Sequence, residues 1–319
     1  MAASLAEIRA RIAAQEASKT KKITTSTDST VYPHWNIDDG ATATVRFLPD
    51  GEGTNPDFWV ERLLINLAFN GVKGNAAMKQ VTVKVPCVEM YGMTCPIISE
   101  IKPWYKDKSL EEMANRYWKK RSYFFQGFVR ANPLTTDTPP ENPIRRLVIS
   151  PQIMPIIRTG IMDPEILELP TDYTRGLDFN IKKVTKGKFA DYATSTWARR
   201  ESALTEAEQE AIATHGLFNL ASFLPKKPDA DALNAIKEMF DASVNGEEYD
   251  VDRWGSFYRP WGIDAPASDK PAASGDAGDA PVTNAAAKPA AKVDAAPAKG
   301  EDKTQDILAM IRNRQTKTA

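Results

Sequence analysis

Alternating apolar and polar residues dominate the first two thirds of the chain and predict β-strands. The clearest stretch is Ala41 to Leu48, in which β-branched or aromatic residues alternate with small or polar ones. Turn residues such as Asp50-Gly51 and Asn70-Gly71, and a loop rich in Pro and Thr at 132–142, separate the strands. Further strands are predicted at 58–67, 80–85, 123–130, 145–149 and 177–184.

Helical patterns appear at two places. Ser109 and Glu112 form a capping-box signature that predicts a helix to about Tyr117. From 201 to 252 the chain becomes helical, with 12 acidic against 3 basic residues. Another capping box, Thr205 with Glu208, opens that segment, whose acidic residues are best explained as a solvated face. Its apolar face comprises Ala232, Leu233, Ile236, Met239 and Phe240.

The two ends differ from the rest of the chain. A basic arm at 1–22, with apolar residues at helical spacing, carries Arg9, Arg11, Lys19, Lys21 and Lys22. Residues 263–300 are rich in Ala and Pro, which predicts a disordered linker. A peptide at 301–319 follows with a short predicted helix, TQDILAMIRNRQ, and could dock a partner. The core domain is thus expected at 23–262.

Composition narrows the protein class. The 319 residues carry a net charge of −1, and no apolar run is long enough to span a bilayer. The N-terminus has no continuous apolar region of a signal peptide, and two cysteines argue against a disulfide scaffold. We therefore expect a cytoplasmic protein without a membrane partner.

The near-zero net charge conceals a basic, aromatic segment at 116–130. RYWKKRSYFFQGFVR has five cations, six aromatics and no acid. Cations displace counterions from phosphates, and aromatic faces stack on bases without reading sequence. On a strand, Tyr123 and Phe125 would occupy one face and Phe124 the other, so only one set could meet a ligand. The alternative for this segment alone is an aromatic strand with a solvated basic lead-in.

Two further segments combine cations and aromatics. One, at 180–200, includes Lys186, Lys188, Phe189, Tyr192 and Trp197. The other, at 101–108, includes Trp104 and Tyr105. Three such segments in a neutral chain indicate one assembled groove for single-stranded nucleic acid, to which Tyr117 would also contribute.

Four motifs, in this order, resemble the helix-destabilising single-stranded DNA-binding proteins of T-even-type bacteriophages, the gene 32 family. The resemblance covers roughly residues 1–200 and extends more diffusely to 260. The motifs are ATVRFLP at Ala43–Pro49, KKRSYF at Lys119–Phe124, Asn132-Pro133 with PPEN at Pro139–Asn142 and then Ile153, and GKFADY at Gly187–Tyr192.

The resemblance implies an α+β protein with an OB-type, Greek-key β-barrel core and a helical flap. It implies that Lys119, Lys120 and Arg121 follow the phosphate path. The cleft aromatics it implies are Tyr123, Phe124, Phe189 and Tyr192. Arg46 matches a strand arginine of the family, although a buried or paired structural role is equally open.

The resemblance also implies partners. The basic arm would dock on neighbouring protomers for cooperative binding, with a surface helix as the alternative. The C-terminal tail would recruit phage replication and recombination proteins, although it lacks the family's acidic character. The implied place of action is the cytoplasm of the infected bacterial host.

The family's structural zinc site is incomplete here. Of its four ligand positions only Cys87 and Cys95 remain, while Leu67 and Ile98 occupy the others. Two thiols cannot close a tetrahedral zinc site, so we expect no zinc and no other cofactor.

The expected function is sequence-nonspecific coating of single-stranded DNA in phage replication, recombination and repair, without enzymatic activity. An RNA-binding or virion structural protein remains open, because stacking and phosphate contacts look alike for RNA. A nuclease with dispersed Asp and Glu ligands is the third alternative.

Overall fold

The computed structural model describes residues 30–260, apart from residues 76, 136, 138, 139 and 188. This part of the chain is an α+β fold built on antiparallel strands. The strands are β1 Thr42–Phe47, β2 Val60–Phe69, β3 Val81–Pro86, β4 Lys120–Ala131, β5 Arg145–Ile149, β6 Leu177–Lys182, β7 Val184–Lys186, β8 Phe189–Asp191 and β9 Thr196–Glu201. The α-helices are α1 Pro96–Ile101, α2 Glu111–Tyr117, α3 Met154–Ile161, α4 Glu206–His215, α5 Ala230–Val244 and α6 Val251–Trp254. Short 3-10 helices lie at His34–Asn36, Val88–Tyr91, Lys102–Lys106 and Leu220–Phe223.

The main sheet has seven strands. Six form the order β3-β2-β4-β1-β6-β9, and β5 pairs with β4 off that path. Among the described residues no pairing joins β3 to β9, so the sheet is not closed into a barrel. The strands β7 and β8 form a separate hairpin.

The long strand β4 organises this sheet. Phe124 pairs with Val60 of β2 and with Val148 of β5, whereas Gly127 pairs with Phe47 of β1 and with β5. The strands β2 and β1 therefore follow one another along one edge of β4, and β5 occupies the middle of the other edge.

Both faces of β4 are buried, contrary to the prediction that only one face is core. Tyr123 and Phe125 belong to one hydrophobic cluster with Phe47, and Phe125 lies 4.7 Å from Phe47 between ring centroids. On the opposite face, Phe124 and Phe128 enter two smaller clusters. The segments at 30–37 and 217–224 cover this second face, which a strand pattern cannot reveal.

A second large cluster joins β2 and β3 to the helices. The apolar face predicted for 232–240 is confirmed in α5, where Ile236, Met239 and Phe240 are buried against this cluster. The helix α4 has no buried residue, as a solvated acidic face requires.

Of the two capping boxes predicted in the described residues, one is present and the other is not. Thr205 and Glu208 form the predicted reciprocal capping box of α4. The predicted box at Ser109 and Glu112 is wrong, because α2 begins after Leu110 and the Ser109 hydroxyl donates to Asp107 instead. Because Asp107 lies only two residues away, the Ser109 hydroxyl bonds to its carboxylate and does not cap the helix.

The described part of the chain has no helix that is long and apolar enough to cross a membrane. The basic arm, the linker and the C-terminal peptide lie outside the described residues, which fall within the predicted core domain.

Gly127 lies where the backbone of β1 approaches β4 closely. A Cβ at this position would lie 2.2 Å from the carbonyl oxygen of Arg46, which belongs to the backbone and cannot rotate away. We predict that Gly127→Ala lowers the free energy of unfolding by about 1–3 kcal/mol. Gly53→Ala is the control, because its Cβ would meet nothing within 4 Å. Urea denaturation measures both, and equal midpoints for the two variants would contradict the packing described here.

Candidate nucleic-acid interface

The first solvent-facing aromatic group lies between α1 and β4. Tyr105 is 39% exposed, and its ring meets Trp118 edge-on at a centroid distance of 5.5 Å. Its hydroxyl donates to the side-chain oxygen of Asn115 at 3.0 Å, which fixes the ring on the surface. The neighbouring Trp104 is buried instead and stacks on Phe240. Of this predicted pair, only Tyr105 can meet a ligand in this conformation.

Exposed cations lie on the 3-10 helix that carries Tyr105, on α2 and on the turn between them. The 3-10 helix Lys102–Lys106 packs against α2, and the surface formed by these elements is called the Tyr105 surface below. Its exposed cations are Lys102, Lys106, Lys108 and Arg116. The same surface also carries the exposed acids Glu111 and Glu112 of α2.

The three predicted phosphate contacts at the start of β4 have partners within the protein. Lys119 pairs with Glu89, and Arg121 lies 2.5 Å from the Glu61 carboxylate. Lys120 is half-buried, and its desolvation lowers its pKa. A nucleic acid would therefore compete with carboxylates for Lys119 and Arg121, so we expect these residues to contribute less than the sequence suggests.

Three aromatic residues predicted for the cleft are buried. Tyr117 meets Phe240 edge-on and contacts the Ser243 hydroxyl at 3.1 Å. Tyr123 and Phe124 lie on opposite faces of β4, and both faces are covered. Their rings cannot stack on a base in this conformation, because core packing already occupies them.

Arg46 is fully buried, which favours its structural alternative over a phosphate contact. Its guanidinium donates to the carbonyl oxygen of Asp172 and lies near the carboxylates of Asp178 and Glu208. Burial lowers the pKa of Arg46, with a further contribution from the neighbouring Arg130.

The β7–β8 hairpin presents the second exposed aromatic group. Phe189 is 54% exposed and pairs across the hairpin with the exposed Lys186. Gly187 has a φ of +67°, as a tight two-residue hairpin loop requires at its first position. The predicted contact Lys188 lies outside the described residues. We call Lys186, Gly187 and Phe189 the hairpin surface.

Tyr192, the fourth predicted cleft aromatic, is buried behind this hairpin. Its ring meets His34 edge-on at 5.9 Å, and burial raises the pKa of Tyr192 to about 12. It supports the base of the hairpin and is not available for stacking in this conformation.

The two exposed surfaces lie toward opposite ends of β4. Lys120 at the start of β4 pairs with Leu64, whereas Thr42, next to the hairpin, pairs with Lys182 beyond the other end. The 12 residues of β4, Lys120–Ala131, span at most roughly 36 Å from first to last at about 3.3 Å per step. The three basic segments therefore do not converge on one compact groove, as the sequence suggested, and a ligand that touches both surfaces must be extended.

Two arginines on the sheet, Arg62 and Arg146, were not predicted from the sequence as residues of interest. Directly opposite residues in an antiparallel pair share a face, so Arg62 and Arg146 lie on the face of Phe124. The guanidinium carbon of Arg62 lies 4.7 Å from the centre of the Phe124 ring, and that of Arg146 lies 4.1 Å from the Phe223 ring. The signal was present as arginines inside the apolar strands predicted at 58–67 and 145–149.

The two cysteines do not fit a zinc site with the residues around them. Cys87 and Cys95 are buried in the same apolar cluster as Leu67 and Ile98. Their thiols hydrogen-bond to each other, and this contact and burial raise the pKa of Cys87. Across the described residues no group of three or more His, Cys, Asp or Glu side chains could hold a metal ion. The chemistry here is that of small core residues.

The chain matches no protein-family model and no curated protein.

Replacing a buried phenylalanine should destabilise the protein much more than replacing an exposed one. We predict that Phe124→Ala lowers the free energy of unfolding by about 3–5 kcal/mol, because it removes a packed ring from the core. Phe189→Ala, at an exposed position, should change it by about 0.5 kcal/mol or less. Thermal or urea unfolding checks both variants. A Phe124→Ala protein as stable as the wild type would show that the ring is not packed in the core and could contact a ligand.

His34 should make stability depend on pH. Burial lowers the pKa of His34 from 6.5 to about 4. Between those values the unfolded chain binds a proton that the folded protein excludes, so stability falls as the pH drops from 6.5 to 4. The expected loss is about 3 kcal/mol over this window.

The difference between the wild-type protein and His34→Gln isolates this contribution from that of the carboxylates. Urea unfolding of both proteins at pH 7, 5.5 and 4 measures it. Parallel pH profiles for the two would show that His34 is not buried in its neutral form.

Proposed function

We propose that this protein binds single-stranded DNA without sequence preference and acts by coating it. The proposal rests on two aromatic rings that are each exposed beside cations. Phe189 lies beside Lys186, and Tyr105 lies beside Lys102 and Lys106. A large exposed ring does not contribute to the core, and its position is suited to contact with a flat ligand.

The chemistry of single strands matches this arrangement. Each nucleotide offers a phosphate for a cation and an unpaired base for a ring, and stacking contributes about 1–3 kcal/mol per base. Duplex DNA hides the base faces, so rings on the surface favour the single strand. A path from the Tyr105 surface to the hairpin surface accommodates a strand of several nucleotides, within the range of sites on OB folds.

We also propose an OB-type architecture and a role in phage DNA metabolism. The sheet would correspond to an OB-type core, and the helices packed on β2 and β3 to a flap. In keeping with the phage family that the motifs resemble, the protein would act in DNA replication, recombination and repair in the cytoplasm of an infected bacterium. The basic arm would link neighbouring protomers on the strand, the C-terminal peptide would contact replication and recombination proteins, and the protein itself would catalyse no reaction.

A fluorescence titration tests the proposal. The protein is titrated with oligo-dT, oligo-U and a duplex of equal length over a series of salt concentrations. We expect tryptophan quenching by oligo-dT that weakens steeply with salt, and much weaker binding to duplex. Tighter binding of oligo-U would indicate an RNA-binding protein, and equal binding of duplex would contradict the stacking claim.

The exposed rings should contribute measurably to the affinity for oligo-dT. We predict that Phe189→Ala or Tyr105→Ala weakens oligo-dT binding roughly 5- to 150-fold, the equivalent of one lost stacked base. Phe257→Ala is the matched control, because Phe257 is 41% exposed but lies next to the acidic segment. If all three variants bind as the wild type does, neither surface belongs to the site.

The exposed cations should set the salt dependence. We predict that Lys186→Ala and Lys106→Ala each reduce the slope of log affinity against log salt by about 0.7, the value for one phosphate contact on a single strand. Lys227→Ala, an exposed lysine in the acidic segment, should leave the slope unchanged. An unchanged slope in the first two variants would remove these lysines from the phosphate path.

A further inference from the structure

An exposed apolar surface with no DNA-binding chemistry lies between α3 and β6. Six large hydrophobic side chains are exposed in the described part of the chain, and three of them fall within eight residues. They are Met162, Leu167 and Leu169, which are 81%, 78% and 65% exposed. A cluster of exposed apolar side chains marks an interaction surface more often than isolated ones do.

This segment, 162–169, is also acidic. It contains Asp163, Glu165 and Glu168 and no cation. Glu168 pairs with Arg175 at 3.0 Å, so the excess negative charge comes from the other two carboxylates. Backbone bonds from Ile166 to Asp163 and from Asp172 to Leu169 fold the segment into turns that hold these side chains outward. We call residues 162–169 the acidic apolar loop.

The C-terminal peptide has the complementary chemistry. From Ile307 onward it has four large apolar residues within five positions, then three cations and no acid. These are Ile307, Leu308, Met310 and Ile311, followed by Arg312, Arg314 and Lys317. The basic arm fits less well, because Glu7 and Glu16 would face the carboxylates of the loop.

The connection between core and peptide is long enough. The Ala/Pro composition after residue 262 predicts a coil, and about 45 residues of coil have a root-mean-square span of roughly 35–40 Å. That span reaches any face of a domain of this size. A tether of this kind gives an effective concentration of up to about 1 mM, so even a weak contact would be populated.

We propose that residues 307–317 of this chain dock on the acidic apolar loop of the same molecule. The apolar residues of the peptide cover Met162, Leu167 and Leu169, and its arginines face Asp163 and Glu165. The docked tail is then held at a place on the core that is separate from Tyr105 and Phe189. This proposal does not depend on DNA binding.

Disulfide trapping in the full-length protein tests the contact. The variant Glu165→Cys/Asn313→Cys keeps all apolar side chains of both segments. The control, Phe257→Cys/Asn313→Cys, places the first thiol on an exposed residue that is much nearer to the tail along the chain. The native Cys87 and Cys95 are buried and should react slowly.

We expect oxidised glutathione to close the intramolecular disulfide in the first variant at least about tenfold faster than in the control, after correction for the reactivity of each single cysteine. Adding Arg312→Glu/Arg314→Glu, or Leu167→Ser/Leu169→Ser, should abolish this advantage.

Three results would overturn the proposal. Equal closure rates in the two variants would show an undocked tail. Disulfide-linked dimers in place of the intramolecular product would assign the loop to a second copy. Loss of the advantage on deletion of residues 1–22 would assign the effect to the basic arm.

Discussion

The antiparallel pairing of β4 is the constraint on which the rest of the structure depends. Its backbone pairs with β2 and β1 along one edge and with β5 along the other, and its side chains are buried on both faces. This geometry requires Gly127 where the backbone of β1 approaches, and it places aromatic rings in separate clusters on the two sides. The most aromatic stretch of the chain therefore holds the domain together.

This use of aromatic residues determines what is left for a ligand. With Tyr117, Tyr123, Phe124 and Tyr192 buried, the rings left exposed for the proposed base stacking project from short peripheral elements, a 3-10 helix and a two-stranded hairpin. Both elements carry lysines, and they lie toward opposite ends of β4. An extended, flexible, negatively charged polymer suits such an arrangement better than a compact ligand does. Arg62 and Arg146 on the sheet are themselves buried against Phe124 and Phe223, so they are not exposed to a ligand in this conformation.

The sequence predicted the strands well because their alternation and turn residues are local signals. It missed α1, α3 and β9. MPIIRTGI favours a strand by its β-branched residues, and TWARRE does not alternate. The helix α3 forms where it packs on β9, a contact that no local pattern contains. For the candidate site, the sequence located the basic aromatic segments but not the exposure of each ring. Tyr105 and Trp104 are neighbours with similar chemistry, and only the packing of Trp104 on Phe240 distinguishes them.

Photocrosslinking would show directly where a single strand contacts the protein. A single-stranded oligonucleotide that carries 5-iodouracil is irradiated on the full-length protein, and the attached peptides are identified by mass spectrometry. The proposed path of the strand predicts attachment at Tyr105 or Trp118 and at Phe189, with none in the acidic segment 201–252. Attachment confined to α4 and α5, or absent from both surfaces under conditions where the oligonucleotide is bound, would contradict it.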